Sequence, residues 1–213
     1  MLGRVGELGT YFELVTVGVS GDPPWGAFPG GAGRLRGAVR DYGGRLGTDE
    51  VRVAASLLFQ GLAARIWSPV VAAAALGVVP DLSDVRWRWA PDEPIMLGLA
   101  EVRGWRAGSV AEATEIVYPL VVDGLLRPLR EAMLEFVKLA DGLVWGNAAS
   151  ALAGSLNVGG ADPGRVAIAR ALLAREPLAG AGSFGPGGFV RSNCCLYYRV
   201  PGGGMCGDCG LAR

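Results

Sequence analysis

Arg191-Ser192-Asn193-Cys194-Cys195-Leu196-Tyr197-Tyr198-Arg199-Val200-Pro201-Gly202-Gly203-Gly204-Met205-Cys206-Gly207-Asp208-Cys209 holds all four cysteines of a 213-residue chain. Their spacing is C-C-x10-C-x2-C. Four thiolates gathered in a reducing compartment meet the needs of tetrahedral zinc or of an iron–sulfur cluster. The Cys206-x-x-Cys209 half is a chelating turn. The vicinal half is different, because neighbouring side chains of an extended strand point to opposite sides, so a bend is expected at Cys194-Cys195. Gly202, Gly203, Gly204, Gly207 and Gly210 leave the backbone free to bring amide N–H groups to the sulfurs. Arg191 and Arg199 flank the motif and offset the charge of four thiolates. Zinc knots usually carry two CxxC-like pairs, and disulfides are rare in reduced compartments. The iron–sulfur reading therefore leads, with a structural zinc knot as the alternative.

Outward from the tail, composition removes whole classes of chemistry. The chain has no histidine, which excludes Ser-His-Asp and Cys-His catalysis, His-ligated haem or zinc, and Rieske-type clusters. Its 20 basic and 20 acidic residues cancel, so nucleic acid is not an expected partner. Among the basic residues only Lys138 is not arginine, a coding bias that lowers the weight of any single arginine. Half the residues are apolar, enough for a core that needs no metal to fold. The N-terminus has no basic segment followed by an apolar one. The uncharged stretch Gly142–Ala161 is broken by Asn147, Ser150, Ser155 and Asn157, and the run Val70–Val79 is too short to span a bilayer. Both read as buried helices, predicting a cytoplasmic protein without a transmembrane segment. No Gly-rich nucleotide fingerprint is present, so an electron donor would be external.

The pattern predicts a mainly α domain over 1–213, with a small β-hairpin and a cysteine-bearing tail. Residues 1–47, rich in Gly and Pro as in Gly21-Asp22-Pro23-Pro24, read as one short helix near Leu8–Val17 and then loops. A helical body covers 48–180 and the cluster-binding segment 181–213. Thr48 opens a helix with Val51, Ala54, Leu58, Leu62 and Ile66 on one face, and a second helix runs from Pro69 to Leu76. Val85–Trp89 and Ile95–Val102 read as paired strands. Ser109 and Glu112 form a capping box. Pro128 opens a helix with Leu129, Met133, Phe136 and Ala140 on its apolar face. Leu143–Leu156 is another. Asp162 and Pro163 start the last, with Val166, Ala169 and Leu173 inward and a stop at Pro177. Trp87, Trp89 and Trp105, with Arg86, Arg88 and Arg103, are candidates to line a cleft for an anionic chelate. Packing explains the tryptophans as well.

Cys-Cys, ten residues, Cys-Gly-Asp-Cys, with Arg191 ahead and Tyr198-Arg199-Val200-Pro201 between, resembles the C-terminal signature of FhuF-like ferric-siderophore reductases. Leu143-Val144-Trp145-Gly146-Asn147, Ile66-Trp67-Ser68-Pro69 and the region Leu120–Leu134 are similar to that family more weakly. The resemblance implies a [2Fe-2S] cluster on Cys194, Cys195, Cys206 and Cys209. It implies one-electron reduction of a ferric siderophore of hydroxamate type, with a ferredoxin or flavoprotein reductase as donor. Arg191, Arg199, Tyr198, Trp145 and Asn147 are the candidates around the cluster, and Tyr197 or Tyr198 would shield it from water. The rival readings are an electron carrier serving another enzyme and a siderophore-biosynthesis relative that kept the tail.

Overall fold

The computed structural model describes residues 2–17, 25–90, 93–158 and 162–211. Three elements come first in the chain: α1 (Leu2–Gly6), a 3-10 turn at Thr10–Phe12, and strand β1 (Leu14–Thr16). The helix expected over Leu8–Val17 is therefore not formed. Leu14, Val15 and Thr16 instead pair in parallel with Leu97, Gly98 and Leu99, a partner too distant in sequence for local periodicity to reveal. Gly21–Pro24 lie outside the described residues.

The expectation of loops up to residue 47 also fails. After the short strand β2 (Gly26–Ala27) comes α2 (Ala32–Leu46), which buries Leu35, Ala38, Val39 and Gly43 and ends at Gly47 in the left-handed conformation. Its glycines each cost about 1 kcal/mol of helix propensity. Packing on the next helix offsets this: a Cβ on Gly43 would sit 3.4 Å from the Ala54 methyl.

That next helix, α3 (Val51–Ala75), is the axis of the molecule. It is apolar all round and is buried on all sides accordingly. The sequence predicts a break at Pro69, yet the helix runs through it. An interior proline costs about 3 kcal/mol. Leu58, Phe59, Leu62, Ile66, Trp67 and Val70 are all 0 % exposed, and burial at about 1.5–3 kcal/mol each outweighs that loss. The helix starts at Val51 rather than Thr48, whose hydroxyl accepts the Glu50 N–H one step outside. It is long and apolar enough to cross a membrane, and 78 % of that stretch lies inside the fold.

Strand β3 (Val78–Pro80) follows, then the predicted hairpin of β4 (Arg86–Arg88) and β5 (Met96–Leu99), with Trp87 opposite Leu97. This hairpin forms the centre of a four-stranded sheet ordered β1-β5-β4-β2. β6 (Gly104–Arg106) returns to β3. α4 (Val110–Tyr118) begins where predicted, the Ser109 hydroxyl accepting the Glu112 N–H at 3.1 Å. It continues through a π-helical stretch (Pro119–Leu126) into α5 (Arg127–Leu134), where Leu129 and Met133 are buried. Ala140 is exposed at the cap of the next helix, and Leu139 is buried in its place. α6 (Asp141–Gly154) packs along α3. α7 (Pro163–Leu173) has the predicted Asp162 cap but turns Ile168, Ala169 and Leu172 inward rather than Val166 and Leu173, and ends before Pro177. A hairpin not foreseen, β7 (Gly182–Gly185) with β8 (Gly188–Arg191), leads into the cysteine tail.

Roughly half the chain is helical, and the strands of the small sheets are each two to four residues long. One hydrophobic core runs from Leu14 to Ala181, so residues from the loop-rich start, the helical body and the approach to the tail share it.

Candidate metal centre

The tail is shaped by backbone before any sulfur is considered. β8 delivers Arg191, whose N–H bonds the Asp208 carbonyl at 3.1 Å, while the Ser192 N–H bonds the Ala181 carbonyl at 2.8 Å. The predicted bend at the vicinal cysteines falls one residue later: Leu196 has φ +70°, a left-handed conformation rare for a branched residue. That bend turns the Leu196 N–H back onto the Cys194 sulfur at 3.3 Å. A 3-10 turn (Tyr197–Arg199) and a tight turn closed by Gly203 N–H on the Val200 carbonyl reverse the chain. The Cys206–Cys209 turn is closed by a 3.1 Å bond from Cys209 N–H to the Cys206 carbonyl. Gly210 then brings the chain back onto β8, where a Cβ would lie 2.4 Å from the Arg191 carbonyl.

Two helices hold this loop. Cys195 is buried, and its carbonyl accepts the Ser56 hydroxyl of α3 at 2.8 Å. Asn147 of α6 donates to the Ser56 carbonyl (2.8 Å) and hydroxyl oxygen (2.9 Å), and accepts from Arg191 Nη2 at 2.5 Å. One buried relay thus runs Arg191–Asn147–Ser56–Cys195. The α6 face beneath it is bare: a Cβ on Gly142 would lie 2.9 Å from Asn193 Oδ1, and one on Gly146 would lie 3.3 Å from the Asn193 Cβ.

All four cysteines are free thiols. Burial, then the adjacent Cys195 thiol and Asp208, push the Cys206 thiol up to about 12. Asp208 Oδ1 also accepts from the Cys206 sulfur at 3.4 Å. Two cysteine sulfurs in contact are a place where a metal ion can take both as ligands. Among the described residues no three Cys, Asp or Glu side chains converge on a single-ion site.

The charges around the sulfurs fit an anionic group. Arg191 is 1 % exposed, with Nε and Nη1 unpartnered. Arg199, by contrast, faces outward in a half-exposed pair with Glu50 at 2.7 Å. Tyr197 and Tyr198 are 37 % and 50 % exposed beside it. Trp145 is buried, with Arg127 over its ring at 5.5 Å. The structure thus puts the Cys195 and Cys206 thiols in contact and ties the Cys195 backbone to Arg191 through Ser56 and Asn147, while the Cys209 sulfur lies 3.5 Å from the Met205 sulfur. Ser56, Asp208, Gly142 and Gly146 were not anticipated. The one available signal for Ser56 was a lone hydroxyl in an otherwise apolar run.

A cleft of about 500 Å³ adjoins the tail, lined by Tyr11, Phe12, Gln60, Ser150, Phe184 and Phe189 and closed at one side by Gly207 and Asp208. The tryptophans do not line it. Trp87 is buried beside Arg34, Trp89 packs on Tyr42, and Trp105 is exposed on β6. Arg88 and Arg103 are engaged by Glu93 and Glu101.

A cysteine loop with an N–H donor to sulfur and a buried cation beside it suits an iron–sulfur centre. Residues 191–210 match the family model of the FhuF 2Fe-2S C-terminal domain, and the cofactor is accordingly a [2Fe-2S] cluster. The match begins and ends at Arg191 and Gly210, the two residues whose backbones close the loop. No curated protein matches the chain at a significant level.

Proposed function

We propose that the protein is a cytoplasmic ferric-siderophore reductase whose cluster, held by Cys194, Cys195, Cys206 and Cys209, passes one electron to chelated iron. The observation that carries this reading is that Asp208, hydrogen-bonded to the Cys206 sulfur, also lines the 500 Å³ cleft. A pure electron carrier needs a flat docking face and no such cavity. When bound, the cluster supplies a single electron, which converts Fe(III) to Fe(II) and leaves the chelator's bonds intact. Oxygen ligands hold Fe(II) far less tightly, so release follows with the freed hydroxamates taking their protons from water, and the lack of histidine is no handicap.

The chain's own part is to seat the chelate. Phe12, Phe184 and Phe189 offer apolar walls, and Gln60 and Ser150, bonded to each other at 3.0 Å, offer polar edges. Among the described lining residues Asp208 is the one charged side chain. Such a cleft suits a neutral ferric trihydroxamate and disfavours a trianionic ferric tricatecholate. An external donor, a ferredoxin or flavoprotein reductase, would return the electron.

The test is anaerobic. Protein reduced and freed of dithionite is mixed with a ferric trihydroxamate, and cluster reoxidation is followed by absorbance while Fe(II) is trapped with a chromogenic chelator. One Fe(II) per reduced cluster is expected, with slower reaction for a tricatecholate. Failure of every ferric chelate to reoxidise the cluster would leave the carrier reading.

A further inference from the structure

We propose that Arg191 is the buried counter-charge of the cluster, so that loading of the cluster and docking of the tail onto α6 are a single event. Arg191 is 1 % exposed and has five N–H donors, of which one, on Nη2, is bonded to Asn147 Oδ1. Nε and Nη1 are buried without partners. Among the described residues no carboxylate pairs with it. Asp208 accepts the Arg191 peptide N–H through its backbone carbonyl, but its carboxylate is bonded to the Cys206 sulfur. A guanidinium cannot shed its proton to escape burial. An uncompensated buried cation is among the most costly features a fold can carry.

The cysteine motif supplies the missing charge. A [2Fe-2S] centre on four thiolates is a dianion when oxidised and a trianion when reduced. Arg191 is tied to both halves of the motif: through Asn147 and Ser56 to the Cys195 carbonyl, and through its own backbone to Asp208 and Gly210. Arg199, with its own acid at the surface, does not share this role. Two consequences follow with opposite signs. Without the cluster the guanidinium opposes docking of the tail. With it, the guanidinium favours the more negative, reduced state.

The experiment uses the full chain with Arg191→Met, which keeps length and removes charge, and Arg191→Lys, which keeps charge. The cluster-free Arg191→Met chain is expected to unfold at higher urea than the cluster-free wild type. The loaded variant is expected to lose its cluster to a chelator at least tenfold faster. Its midpoint potential, from EPR-monitored titration, is expected to fall by at least about 59 mV, the equivalent of a tenfold change for one electron. Arg191→Lys is expected to recover most of the potential. Should Arg191→Met not fold, Arg191→Gln makes the same comparison with a neutral polar side chain. An unchanged potential in the neutral variant, or a cluster-free variant no more stable than wild type, would overturn the proposal. No readout involves a siderophore, so the result is independent of the reductase assay.

Discussion

At Gly210 a single methyl group separates a closed cluster loop from an open one. Its Cβ would lie 2.4 Å from the Arg191 carbonyl, a backbone atom that cannot swing aside. Gly210→Ala is expected to leave helical circular dichroism unchanged while cluster content, measured as iron and visible absorbance, falls below about a tenth of wild type, given the order-tenfold cost of disturbing a ligand shell. Full loading of that variant would show the loop closing another way. Asn147 stands at the centre of the relay, and its removal takes a donor from the Ser56 carbonyl and hydroxyl oxygens and leaves one more donor of Arg191 unmet. Asn147→Ala is expected to cost about 2–3 kcal/mol by urea denaturation, since buried donors are left unmet. Asn147 was legible as a polar residue in an apolar helix. Trp145 was grouped with it through the resemblance of Leu143-Val144-Trp145-Gly146-Asn147 to the family's helix start, although residues two apart in a helix do not share a face. Ser56 stayed hidden because one small hydroxyl among Val53, Ala54, Ala55 and Leu58 reads as core.

Among the elements, those with local signals were the readable ones. Ser109 and Asp162 cap α4 and α7 through contacts three residues away, so sequence alone locates them. Asp162→Ala is expected to remove about 1 kcal/mol, lowering the thermal midpoint by about 2–4 °C in a chain of this size. A calorimetric scan checks it, and no shift would mean Pro163 alone sets the helix start. Hairpin β4–β5 was visible through its alternation. α2 was not, because its glycines read as loop and its stability comes from the surface of α3. Nor was β1, since its partner β5 lies some eighty residues along the chain. Pro69 misled for a related reason: a breaker judged locally is outweighed by burial that only the tertiary structure supplies.

For the whole molecule, the core from Leu14 to Ala181 has no cysteine among its members, although Leu196 packs against it and Cys195 is itself buried. Removing the cluster with a chelator and reductant is therefore expected to keep the helical signal. Limited trypsin digestion would then cut at Arg191 and Arg199, sites protected in the loaded protein. Loss of helix on cluster removal would show instead that the body depends on the tail. The chemistry of the tail was legible because its four ligands are close in sequence. The cleft was not, because residues near 11, 60, 150, 184 and 208 meet only in space.

The bare stripe of Gly142 and Gly146 on α6 has a consequence for biosynthesis. Protein chains fold in the order they are made, and Ser56, Gly142, Gly146 and Asn147 all precede the first cysteine. The berth is therefore ready while the thiols still hang free, so iron and sulfide can be delivered to an open strap. The strap docks as the cluster is loaded, with no need to thread metal through a closed interior.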